Sequence, residues 1–103
     1  MMLYTILPSE MLDTIIPEEV KQFTGYDKDY TLREAAFQVR ELDNGYFLVS
    51  CKLCNAKYIA NKCVESEMSE QEIAMAKAFY GEENVFEDYS HLTFKDELSD
   101  IEI

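Results

Sequence analysis

The spacing of apolar and polar positions changes several times along the chain, and each change marks an element. Leu3-Tyr4-Thr5-Ile6-Leu7 is a short, mostly apolar run halted by Pro8, which predicts a strand near the N-terminus. Pro17, followed by Glu18 and Glu19, opens a short helix. Proline is tolerated in a first turn and carboxylates there oppose the helix dipole. Gly25 closes that helix, and Tyr26 to Tyr30 (YDKDY) reads as a polar loop.

The next stretch carries the clearest β signal. Ala35 to Leu42 and Tyr46 to Leu53 flank Asp43-Asn44-Gly45, a strong hairpin cue. Loop length decides which side chains share a face. A two-residue Asn44-Gly45 loop pairs Val39 with Ser50 and Phe37 with Lys52, mixing polar and apolar. A three-residue loop pairs Val39 with Val49 and Phe37 with Cys51, keeping one face apolar, with Gly45 in a left-handed bulge position. The three-residue register is the expectation. Lys57 to Val64 is a candidate third strand.

Residues 66–81 switch to helical spacing. Ser69 at the N-cap with Glu72 three residues later forms a capping box, Met68 can staple to Ile73, and Gly81 supplies the stop. Ile73, Ala76, Phe79 and Tyr80 fall on one side, with Met75 beside them. His91 to Phe94 is a candidate strand, and Asp96 to Ile103 reads as loose. With no repeat and no linker, the expectation is a single α+β domain over 1–103. It has a small antiparallel sheet around the 35–53 hairpin, with a helix at about 69–80 packed on one face.

Composition supports a folded chain: 103 residues, 48% hydrophobic, with seven Tyr and six Phe, suffice for one modest core. Charge changes the picture more. Residues 1–64 carry nine acidic and seven basic side chains, whereas 65–103 carry twelve acidic ones against only Lys77 and Lys95. The total of −12 therefore arises almost wholly in the acidic C-terminal part, 65–103. Such a field repels nucleic acid and anionic lipid, so direct binding to nucleic acid or membrane is not expected. No run reaches the roughly 18 apolar residues of a membrane span, and Met1 to Thr5 lacks the basic start of a secretory signal. A cytoplasmic protein with reduced thiols is the expectation, since three cysteines form no evident disulfide framework.

Candidate chemistry is sparse. Cys51-Lys52-Leu53-Cys54 is a C-x-x-C, and Cys63 and His91 would complete a Cys₃His zinc set if all four converged. Cys51 falls inside the predicted strand, however, where residues three apart face opposite sides, and no helix N-terminus follows to activate a redox thiol. Buried, inert cysteines are the expectation, with no metal and no cofactor. There is no nucleophile elbow around a Ser or Cys, no phosphate loop (glycines stand singly at 25, 45 and 81) and no calcium loop. An enzyme is not expected. What stands out is the alternation of Glu82-Glu83, Glu87-Asp88 and Asp96-Glu97 with Tyr80, Phe86, Tyr89 and Phe94. Carboxylates fixed on a rigid surface can imitate backbone phosphates and dock into a basic groove, with aromatic side chains as anchors. The candidate partner-binding residues are thus Glu82, Glu83, Glu87, Asp88, Asp96 and Glu97, with Tyr80 and Tyr89 as anchors. The other reading of the same charge is a solvated face that only keeps the protein dissolved.

Two stretches carry a resemblance. Leu3-Tyr4-Thr5-Ile6-Leu7-Pro8-Ser9-Glu10 and the Phe37 to Tyr58 hairpin region resemble the YlzJ-like family of small Firmicute proteins, which implies no catalytic residues. In size, acidity and lack of catalytic motifs the chain also resembles small inhibitors encoded by phages and mobile elements, including anti-CRISPR proteins. The resulting expectation is a non-enzymatic protein–protein interaction module whose acidic surface mimics nucleic acid and blocks a basic nucleic-acid-binding protein. The alternatives are a zinc-stabilised or redox domain using the three cysteines and His91, or a structural protein that self-associates as a homodimer.

Overall fold

The computed structural model describes residues 1–56 and 68–96. Its centre is a three-stranded antiparallel sheet of β1 (Tyr4–Leu7), β2 (Val39–Glu41) and β3 (Phe47–Ser50), in the order β1-β3-β2. Five residues separate β2 from β3, and the Leu42–Tyr46 hydrogen bond leaves three of them, Asp43 to Gly45, as the turn itself. Leu42 N–H donates to Tyr46 O, Gly45 sits at φ 89°, and Val39 pairs with Val49 as the apolar-face argument requires. The same argument paired Phe37 with Cys51, and there the structure departs. Phe37 N–H donates to Lys52 O, so the ladder is out of this register just before β2 begins.

The reason lies in a helical turn that strand spacing had hidden. α3 (Leu32–Ala35) occupies the start of what reads as a strand from Ala35. It is nucleated by a capping box in which Thr31 Oγ1 accepts from Glu34 N–H and Glu34 Oε1 accepts from Thr31 N–H. Two further helices precede it. α1 (Ser9–Leu12) follows Pro8, and α2 (Glu18–Thr24) starts after Pro17 and ends at Gly25, whose φ of 79° is left-handed. The YDKDY segment has no regular structure but is not wholly polar, since Tyr26 is buried and its hydroxyl donates to Leu53 O at 2.8 Å.

Adjacent residues of β3 point to opposite faces of the sheet, and a separate core forms on each. Val49 belongs to the cluster of Leu12, Ile16, Val20, Leu32 and Ala35, supplied by α1, α2, α3 and the segment joining α1 to α2. Leu48 belongs to the other, with Tyr4, Leu42, Cys51, Met68, Ala76 and Phe94. α4 (Glu70–Tyr80) starts from the expected Ser69–Glu72 capping box. It buries Ala76 completely and packs Ile73 and Tyr80 against the second cluster, while Met75 reaches the first. Phe79, expected on the same buried side, is instead 39% exposed. The candidate strand 57–64 and the stretch 97–103 lie outside the described residues. Among the described residues, no helix is long and apolar enough to cross a membrane.

A candidate acidic interface

The acidic segment begins where α4 stops. Gly81 has φ 94°, and a Cβ there would lie 3.0 Å from both Asn84 Nδ2 and Glu83 Oε1, so glycine is required at this corner. A 3₁₀ turn, Glu82–Asn84, follows, with Asn84 Nδ2 donating to Tyr80 O at 2.8 Å. Thr5, buried in β1, donates its hydroxyl to Asn84 O at 3.0 Å. Tyr4 and Phe86 then exchange both main-chain hydrogen bonds, which attaches the segment to the outer edge of β1.

From Phe86 the chain crosses the sheet. The Tyr89 ring meets Tyr4 edge-on with centroids 4.7 Å apart, and Phe94 meets Tyr89 at 5.9 Å. The crossing finishes at the far edge. Leu42 forms a bridge with Phe94, and Asp43 N–H donates to Thr93 O at 3.0 Å. The expected strand at 91–94 is therefore reduced to one bridge. Arg40 of β2 places its guanidinium carbon 3.6 Å from the centre of the buried Phe94 ring, a close cation–π contact. Residues 82–96 thus form a strap fastened to both edges of the sheet.

Along that strap Glu82, Glu83, Glu87, Asp88 and Asp96 are all exposed. Glu82 lies 3.9 Å from Lys77, a loose surface pair of little energetic weight. Glu83, Glu87, Asp88 and Asp96 join no ion pair among the described residues. Asp88 accepts from Ser90 N–H at 2.9 Å, and that bond holds its carboxyl below the usual aspartate range. Glu97 lies outside the described residues. The two tyrosines have a different placement from the carboxylates. Tyr80 and Tyr89 are half-buried and pack against the core, so they brace the strap from beneath. Burial pushes the Tyr80 hydroxyl well above the ordinary phenol range, with Cys51 adding to the effect, and the hydroxyl has no hydrogen-bond partner among the described residues.

The cysteines do not assemble as a ligand set. Cys51 is a free, fully buried thiol pushed up to about 12 by burial. Cys54 is disulfide-bonded, which corrects the expectation of reduced thiols throughout and removes one thiolate from the imagined zinc set. His91 is exposed beside Phe86, and Cys63 is outside the described residues. Among the described residues no three His, Cys, Asp or Glu side chains lie close enough to hold a metal.

Sequence reasoning found the carboxylates but missed what holds them. No cue in the sequence marks Arg40, and only its position opposite Leu48 puts it over Phe94. Comparison of the chain with protein-family models, with curated proteins and with solved structures returns no match.

Proposed function

We propose that the protein is a non-enzymatic interaction module that occupies a basic, nucleic-acid-binding surface on another protein, in the manner of the small inhibitors carried by phages and mobile elements. One observation carries this reading: the exposed carboxylates of Glu82, Glu83, Glu87 and Asp88 sit on a strap hydrogen-bonded at both ends to the sheet. Fixing the acids before binding lowers the ordering cost of association, whereas a solubilising face needs no such bracing. Tyr80 and Tyr89 serve the interface by seating the strap on the core. The partner is steered in by charge, so association is fast at low salt and weak at high salt. A cytoplasmic target of this kind places the protein in a reducing compartment, where the Cys54 disulfide is expected to open.

The test is a pull-down from a bacterial lysate at low and high salt, with the chain as bait and added DNA or RNA as competitor. A retained basic protein that salt releases and nucleic acid displaces supports the reading. A bait carrying Glu82→Lys, Glu83→Lys, Glu87→Lys and Asp88→Lys should keep its fold and lose that protein. Retention by the reversed bait would overturn the proposal.

A further inference from the structure

Phe79 is the only large apolar side chain of α4 that stays exposed. It borders a groove of about 390 Å³ whose other walls are Glu19 and Val20 of α2 and Met75 and Ala78 of α4. The groove opens directly onto the core. Val20 is buried, and Met75 packs against the cluster beneath α1 to α3. Met75, Ala78 and Phe79 stand three and four residues apart, so they form one stripe along α4.

Among the described residues, the charge that lines the groove is acidic. Glu18 and Glu19 are exposed and join no ion pair among the described residues. The cations of the same two helices are already engaged. Lys21 donates to Asp29 at 2.9 Å, and Lys77 lies beside Glu82. Among the described residues Glu19 is the one charged side chain lining the groove, with Glu18 next to it in the chain, so acid stands beside an apolar floor. A second copy of this chain, itself at −12, is repelled from it.

We infer that the groove receives a leucine-type anchor from a basic amphipathic helix of the partner protein. Helix-in-groove recognition uses apolar anchors on one face of the incoming helix, and lysines or arginines flanking that face match Glu18 and Glu19. The inference rests on the basic partner proposed above and adds what the strap lacks, a dry contact to slow dissociation. Phe79 stands three residues before Glu82, so anchor and carboxylates adjoin on one stretch of chain. Charge attracts the partner, and the groove retains it.

The experiment is an NMR titration of the isotope-labelled full chain with two probes. One is a designed helical peptide with leucines on one face and lysines on the other. The second is an oligolysine of equal charge. The amphipathic peptide should shift Val20, Met75, Ala78 and Phe79, and Phe79→Ala should weaken it about tenfold while leaving oligolysine unaffected. Ala78→Gln, which narrows the groove without adding charge or altering Phe79, should do the same. Shifts confined to 82–96, or equal affinity in both variants, would overturn the groove and leave the acidic strap standing. If neither peptide binds, both readings fall.

Discussion

Tyr4 N–H donates to Phe86 O at 2.8 Å, and Phe86 N–H returns a bond to Tyr4 O at 3.0 Å. One residue along, Thr5 Oγ1 reaches Asn84 O at 3.0 Å, across 79 positions of sequence. These three bonds latch the acidic strap to β1. Thr5→Val keeps the shape and strand preference of the side chain but removes the third bond. The variant should lose about 1 kcal/mol of stability and leave the Asn84 carbonyl unpaired. Faster amide exchange at Phe86, with Leu48 unchanged, would locate the loss at the latch. An unchanged exchange rate would show that the main-chain pair suffices alone.

Tyr80 offers the opposite case. Its hydroxyl is buried with no partner among the described residues, and an orphaned polar group costs about 1–3 kcal/mol. Tyr80→Phe should therefore raise the denaturant midpoint, by about 1 kcal/mol in stability. A lower midpoint would mean that the hydroxyl has a partner that matters.

Alkaline pH should unfold the protein earlier than its carboxylates would suggest. The Cys51 thiol ordinarily titrates near 9, and in the folded protein burial pushes it up to about 12. Between those values the unfolded chain releases a proton that the folded one keeps. The stabilising effect is complete below pH 9 and is lost as pH rises toward 12. Tyr80, raised by burial as well, acts in the same direction. Urea midpoints measured from pH 7 to 11 should fall above 9, and Cys51→Ala should flatten that slope while lowering the whole curve through its cavity. In the native protein at pH 8, Cys51 should resist alkylation, as a buried protonated thiol does.

Where local chemistry decides, the sequence was readable. Pro17 and Gly25 delimit α2, Ser69 and Glu72 start α4, and the demand for one apolar face sets Val39 opposite Val49. The α3 turn was legible too, because Thr31 and Glu34 are spaced as a capping box. The reading of Ala35 to Leu42 as a strand took no account of that cue. The acidic positions could be read from charge alone, but the strap could not. It depends on Tyr4 meeting Phe86 and Leu42 meeting Phe94, and no pattern within either segment encodes such distant pairing. Phe79 fails for a related reason. Helical spacing puts it near Tyr80 and Ala76, yet the neighbouring elements cover only Ala76 fully.

A sheet fastened at one point on each margin by Phe86 and Phe94 has a consequence for how the chain is made. Until residues 86–94 have been synthesised, the main-chain groups of Tyr4 and of the Leu42–Asp43 corner lack the partners they have in the fold. Bare strand margins invite pairing with other nascent or misfolded chains. Slow translation through 70–85 would lengthen that exposure, and rapid passage to residue 94 would end it. The carboxylates between the two fastening points, Glu87 and Asp88, arrive after Phe86 and before Phe94. They bring charge repulsion between neighbouring chains just before the margins close.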